Sequence, residues 1–246
     1  MTIEVTAARS MTPPHSSGAA LPADAMQLEL AAPPLPSTKP LAWAATKRLL
    51  DIILALLLLV LCAPALVVIA VAVCTSGSGP LIIGHERVGR GGVAFRCLKF
   101  RSMVLDADAV LARLLQSDPG ACQEWSRSRK LRNDPRVTRV GAFLRVSSLD
   151  ELPQLINVLR GEMSLVGPRP VVQEELDQHY GPEAAARYLS VRPGITGLWQ
   201  ISGRSDAAYP KRVALDLEYI SRSCFTLDAA ILLRTVRVVL LGRGAC

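Results

Sequence analysis

Hydrophobic positions along this chain are concentrated in one place. From Leu49 to Val73 the run LLDIILALLLLVLCAPALVVIAVAV is broken by a single charge, Asp51. About 25 apolar residues in a continuous helix cover the hydrocarbon core of a bilayer, roughly 30 Å. Pro64 lies near the middle of the run, where proline removes a backbone donor and breaks or kinks a helix. Lys47 and Arg48 precede the run, and Arg87, Arg90, Arg96, Lys99 and Arg101 follow it. Basic residues on both flanks place both ends on the cytoplasmic face by the positive-inside rule, which a hairpin turned at Pro64 satisfies. A proline-kinked helix that simply spans the bilayer fits the same pattern. Upstream, residues 1–40 are rich in Ala, Pro, Ser and Thr and carry neither helical nor strand period, so they read as a disordered tail. The apolar run starts too far from the N-terminus for a cleavable signal, and the segment is expected to be retained.

Downstream the pattern changes to short elements. Ser76-Gly77-Ser78-Gly79-Pro80 is a turn cluster, and LIIGHERVGRGGVAFRCLKF reads as two short strands joined through Gly89, Gly91 and Gly92. Val110, Leu111, Leu114 and Leu115 follow Asp106 and Asp108 at helical spacing, predicting a helix over 106–116. Residues 133–148 show no sustained period. Ser148-Leu149-Asp150-Glu151 then matches the S-x-x-E capping box, with Leu152, Leu155, Ile156 and Leu159 on one helical face behind it. Near the C-terminus Leu232, Leu233, Val236, Val239 and Leu240 form an apolar face flanked by Arg234 and Arg237. That helix suits the core, the membrane interface or a second copy of the chain. The predicted fold is mixed α/β, mainly helical with a few short strands. Its organisation is a tail over 1–40, a membrane helix over 41–75 and a catalytic domain over 76–246.

A length of 246 residues accommodates one catalytic unit with a membrane element. The formal charge of +7 favours anionic partners: nucleic acid, acidic lipid or phosphorylated substrates. Six cysteines without a CxxC pair, two of them inside the apolar run, suggest a reducing cytosolic environment rather than a disulfide framework. His15, His85 and His179 are too scattered for a zinc-ligand spacing.

Candidate chemistry centres on Asp150 and Glu151. Acids in a first helical turn commonly do no more than offset the helix dipole. An ionised carboxylate there can equally act as a nucleophile on phosphorus or as a ligand for a hard divalent cation. Either role on a diphosphate requires neighbouring cations to neutralise phosphate oxygens. Lys99 and Arg101 in KFRSM, Arg145 in FLRVSSLDE and Arg169 in GPRP are the candidates, arginine adding a planar fork for phosphate.

From Lys47 to Cys246 these segments occur in an order that resembles the bacterial sugar transferase family, the monotopic polyprenol-phosphate phosphoglycosyl transferases. The matching stretches are KRLLD, ERVG, KFRSM, DPRVTRVGAFLR, SLDELPQLINVLRGEMSLVGPRP, RPGITGLWQISGR and LDAAILLRTVRVVL. The resemblance implies a re-entrant helix broken at Pro64 and a catalytic domain on the cytoplasmic face of the bacterial inner membrane. It implies Asp150 as nucleophile, Glu151 as Mg2+ ligand, and Lys99, Arg145 and Arg169 as active-site cations, Arg101 being added from its proximity in sequence. The implied substrates are a UDP-sugar, with UDP-galactose or UDP-glucose expected, and undecaprenyl phosphate in exopolysaccharide or related synthesis. Inner-membrane lipid and a homodimer are further expected partners, and nucleic acid is not. Two positions depart from the family pattern: Ala63 stands where a small hydroxyl residue usually precedes the proline, and His85 where glutamine usually precedes ERVG. A membrane-anchored basic adaptor, and an enzyme using Asp150 as a base for direct displacement, are the competing readings.

Overall fold

The computed structural model describes residues 40–128, 131, 133–202 and 209–240. The predicted tail, apart from Pro40, lies outside the described residues. A single long helix, α1 (Leu41–Thr75), carries the apolar run, and it is long and apolar enough to cross a membrane. Its mid-portion turns Leu57, Val60, Leu61, Val67 and Val68 outward, each more than half exposed. Such a surface is costly in water and at no disadvantage in lipid. The break expected at Pro64 is not an interruption of the helix: α1 runs through Pro64 without a gap, and the proline only leaves the Val60 carbonyl without its i+4 donor.

Both ends of α1 are fastened to the rest of the protein by polar contacts. Lys47 Nζ donates to Asp228 Oδ2 at 2.7 Å, and Arg48 donates to the carbonyls of Val158 and Leu159 at 2.6 and 3.0 Å. Asp51, the single charge in the apolar run, is 6 % exposed. It accepts from Ser164 Oγ at 2.8 Å and from the Leu165 amide at 3.2 Å, so its buried charge is hydrogen-bonded. At the far end the Arg101 guanidinium gathers the carbonyls of Val73, Gly77 and Ser78, satisfying groups that a helix C-terminus leaves open.

The two expected strands form the antiparallel hairpin β1 (Ile82–Val88) and β2 (Ala94–Phe100), in register from Ile82 opposite Phe100 to Val88 opposite Ala94. Gly91 and Gly92, at φ 71° and 80°, supply the left-handed backbone of its turn. Next come α2 (Ala107–Ser117), within a residue of its prediction, and α3 (Pro119–Ser128). Helix α4 (Arg139–Ser147) occupies the stretch that showed no period. Only Gly141 and Leu144 of α4 are buried, while Phe143 and Val146 face outward, so no repeating apolar face exists to be read. Thr138 starts α4 by accepting from the Gly141 amide at 2.9 Å.

Helix α5 (Gln154–Arg160) leads into β3 (Ser164–Val166), which pairs in parallel with β4 (Gly194–Thr196) after a crossover through α6 (Gln173–His179) and α7 (Gly181–Leu189). The glycines of GPRP and RPGITG have a packing reason: a Cβ on Gly194 would overlap the Gly167 amide nitrogen. The chain closes with α8 (Leu198–Ile201), α9 (Tyr209–Arg222) and α10 (Phe225–Leu240). The central core brings Ala55 of α1 together with Cys97, Val158, Leu165, Tyr219 and Ile231. The face expected on α10 is divided. Ile231 is buried and Leu232 half-buried, whereas Leu233 and Val236 are 73 % and 58 % exposed beside exposed Arg234 and Arg237; the side chains of Val239 and Leu240 lie outside the described residues.

Candidate active site

The capping box predicted at Ser148 does not form. Ser148 is instead the left-handed residue that ends α4, at φ 57° and ψ 17°, with no side-chain capping bond. Among the described residues it is the one non-glycine with positive φ. Left-handed backbone costs a residue with a side chain about 1–2 kcal/mol. The reversal sends Leu149–Glu151 into a tight 3-10 turn before Pro153 and α5.

That turn separates the two acids by environment. Asp150 is buried, its side chain 9 % exposed, and Glu151 remains 26 % exposed. Lys99 reaches both from β2: its Nζ lies 2.7 Å from Glu151 Oε1 and 3.6 Å from Asp150 Oδ2. Burial pushes the Asp150 carboxyl up, and neighbouring Glu151 adds to that, while Lys99 and Arg145 pull it back down. Arg145, in the last turn of α4, donates from Nε to Ser102 Oγ at 2.9 Å. Burial lowers its own pKa and Asp150 opposes that shift. Among the described residues no bond engages the Arg145 Nη groups, which suit them to an anion.

Asn157, wholly buried, is a positioning residue that sequence pattern did not single out. Its Oδ1 accepts from the Leu98 amide at 3.0 Å, and its Nδ2 donates to the Arg96 carbonyl at 2.8 Å. It thereby pins α5 to the edge of β2 and fixes the register that sets Lys99 against the dyad. No local signal marked it, because Asn157 lies off the helical face that carries Leu152, Leu155, Ile156 and Leu159.

The remaining candidates diverge. Arg169 stacks its guanidinium over Trp199 at 5.3 Å, and its charge reaches Cys97, the residue two positions before Lys99. Arg101, expected to bind phosphate, is 5 % exposed and directs its guanidinium to the end of α1 rather than to the dyad. Pro64 lies in α1, outside this cluster. His85 lies opposite Cys97 in the hairpin; burial lowers its pKa, helped by Arg87, Lys99 and Arg145, which keeps the imidazole neutral. No group of three or more His, Cys, Asp or Glu suited to a metal occurs among the described residues. A Mg2+ ion commonly binds through one or two carboxylates plus substrate phosphate, and the accessible Glu151 carboxylate beside Asp150 fits that mode.

Lys99 is expected to hold Asp150 ionised. With Lys99→Met, the burial cost is less opposed and the Asp150 pKa rises further. A reaction needing the carboxylate loses rate as pH falls through that pKa, so the acid limb of the pH–rate profile should move to higher pH. An unmoved acid limb in steady-state assays would remove Lys99 from this role.

The sequence profile of the bacterial sugar transferase family matches residues 42–242. The chain is 48 % identical over 200 residues to the exopolysaccharide production protein ExoY of Sinorhizobium fredii, covering 81 % of this chain and 88 % of that protein. It is 51 % identical over 199 residues to the UDP-galactose-lipid carrier transferase of Erwinia amylovora, covering 81 % of this chain and 41 % of the relative. Identity to the undecaprenyl-phosphate galactose phosphotransferase of Salmonella typhimurium is 49 %, with the same two coverages. This chain therefore spans less than half the length of the two longer relatives. With a vicinal carboxylate pair under a lysine and an arginine, and with this extent of likeness, the chain belongs to the bacterial sugar transferase family and is a phosphoglycosyl transferase.

Proposed function

We propose that this protein transfers hexose-1-phosphate from a UDP-sugar, UDP-galactose or UDP-glucose, to undecaprenyl phosphate, initiating an exopolysaccharide or related glycan. The observation that carries the reading is the buried Asp150 held between Lys99 and Arg145, with Glu151 accessible beside it. The relatives' names supply the substrate classes.

In this scheme an Asp150 carboxylate oxygen attacks the phosphorus attached to the sugar. The bond to the bridging oxygen of the diphosphate breaks, UMP leaves and a phosphosugar-aspartyl enzyme remains. An oxygen of undecaprenyl phosphate then attacks the same phosphorus, breaking the aspartyl bond and regenerating Asp150. Lys99, Arg145 and Arg169 offset the phosphate charge that would otherwise repel the carboxylate. Glu151 would hold Mg2+, which supplies further charge neutralisation on the donor's phosphate oxygens.

The same proposal places α1 as a re-entrant helix bent at Pro64 in the inner leaflet, with the catalytic body on the cytoplasmic side. Support comes from its two ends. Lys47, Arg48 and Asp51 at one end and the carbonyls of Val73, Gly77 and Ser78 at the other are bound to one body, though a straight helix over 51–73 is about 33 Å long and would separate its ends by a hydrocarbon thickness. Leu233 and Val236, exposed beside Arg234 and Arg237, suit α10 to the membrane interface or to a second copy.

The test is to incubate purified protein with Mg2+ and each UDP-sugar, without lipid acceptor, followed by intact mass and peptide mapping. A hexose-phosphate adduct on Asp150 is expected. Lipid-dependent turnover without any adduct would favour direct displacement, and no turnover across a broad donor panel would defeat the assignment.

A further inference from the structure

A cavity of about 400 Å3 opens where the first turns of α1 meet the catalytic body, and its charged lining is four basic side chains against one acid, Asp51. Lys47 and Arg48 of α1, Arg90 of the β1–β2 turn and Arg192 of the segment before β4 all line it. None of Lys99, Arg145, Asp150, Glu151 and Arg169 does, so the cavity is separate from the dyad. Part of this charge has a structural role. Arg48 donates to the Val158 and Leu159 carbonyls, and Arg192 Nε donates to the Gly161 carbonyl at 2.7 Å, capping the C-terminal end of α5. Lys47 is neutralised by Asp228 at 2.7 Å.

The three arginines are not neutralised in this way. Among the described residues no carboxylate lies within ion-pair distance of Arg48, Arg90 or Arg192. Burial lowers the Arg192 pKa, and the charges of Arg48 and Arg90 lower it further, with Asp51 as the opposing influence. Three guanidiniums from three elements thus face one cavity with an excess of positive charge, which an anion would relieve. Arginine's fork favours phosphate oxygens among anions.

We propose that this cavity binds the phosphate headgroup of an anionic membrane phospholipid, a site distinct from that of the acceptor lipid. The proposal rests on the membrane placement of α1 given above. Its lipid source is the cavity's place on α1: the lining residues Lys47 and Arg48 immediately precede the apolar run that begins at Leu49, which sets the cavity at the level where that helix would enter a bilayer. Trp43 also lines the cavity, and tryptophan favours the headgroup level of a bilayer. The bound headgroup would tie the start of α1, the hairpin turn and the Arg192 segment together at the membrane surface.

Native mass spectrometry of the full chain, released from micelles holding equal phosphatidylglycerol and phosphatidylcholine, tests this directly. The wild type should retain phosphatidylglycerol over phosphatidylcholine by about tenfold, the worth of one or two charge-assisted phosphate contacts. Arg90→Gln with Arg192→Gln should bring the ratio to about one. Arg90→Gln alone, at an exposed side chain without a capping role, should lower the ratio partway, and so separates ligand loss from misfolding. Equal retention by the wild type, or an unchanged ratio in the double variant, overturns the proposal. Glycerol 3-phosphate displacing the lipid at similar concentration would make the occupant a soluble phosphate, and one-for-one displacement by undecaprenyl phosphate would make it the acceptor; either overturns the phospholipid assignment. The readout needs no turnover: Asp150→Asn should keep the full preference, so failure here is distinct from failure of the proposed reaction.

Discussion

Asp150→Asn should reduce turnover by at least about 10^4-fold, and the sugar-phosphate adduct should be absent from its mass spectrum with any donor. The substitution keeps the shape of the side chain and removes its nucleophilic charge. Stability should move the other way. Burial raises the folded-state pKa of Asp150, so the stability linked to its protonation is present below its ordinary pKa and is lost as pH climbs through the raised value. At neutral pH the wild type bears the cost of a buried carboxylate that the amide avoids. The variant should therefore melt no lower than the wild type at pH 7, and its advantage should vanish in acid. An inactive variant that also melts far lower would point to a structural role for Asp150. Retained turnover would exclude Asp150 as the nucleophile.

Gly141→Ala should be strongly destabilising, because the site has no room for a Cβ. Gly141 packs α4 directly against the main chain at Ser102: an added Cβ would overlap the Ser102 carbonyl oxygen and crowd its carbonyl carbon and Cα. No flexible side chain can yield there, because all three atoms are backbone. Moving α4 outward would break the bond from the Thr138 amide to the Ser102 carbonyl at 3.1 Å. It would also strain the 2.9 Å bond from Arg145 Nε to Ser102 Oγ. A loss of about 3 kcal/mol is expected from overpacking of this kind, or roughly 6–12 °C in thermal midpoint for a chain of this size. Because Arg145 rides on the same helix, donor-dependent adduct formation should fall too, even below the melting range. An unchanged midpoint in thermal melts would mean that α4 is free to shift without cost.

The apolar helix and the hairpin were readable from local pattern because each is specified by contiguous residues. The apolar run over 49–73 gives one helix long and apolar enough to cross a membrane, and the glycines at 91 and 92 supply the positive φ that the hairpin turn uses. Helix α4 escaped that reading because its two buried residues, Gly141 and Leu144, make no periodic stripe. Ser148 misled for a related reason. S-x-x-E is an N-terminal signal in isolation, yet Ser148 is taken up by the end of the preceding helix, and only its neighbours in space decide which helix owns it. Arg101 and Arg145 are alike as sequence symbols. Nearby carbonyls at the end of α1 take the first, while Ser102 takes one nitrogen of the second, whose charge acts on Asp150.

By itself the amino-acid sequence determined the family, the carboxylate pair, the apolar helix and the set of cations from which a phosphate site is drawn, since composition and short-range order are properties of the chain alone. Only the tertiary structure decided which cation meets which acid. It placed Lys99 between Asp150 and Glu151, turned Arg101 away, buried Asp51 against β3 and used Asn157 to hold the register. Those outcomes depend on distances between residues 23 to 114 positions apart in the chain, which are fixed by packing rather than by any local preference.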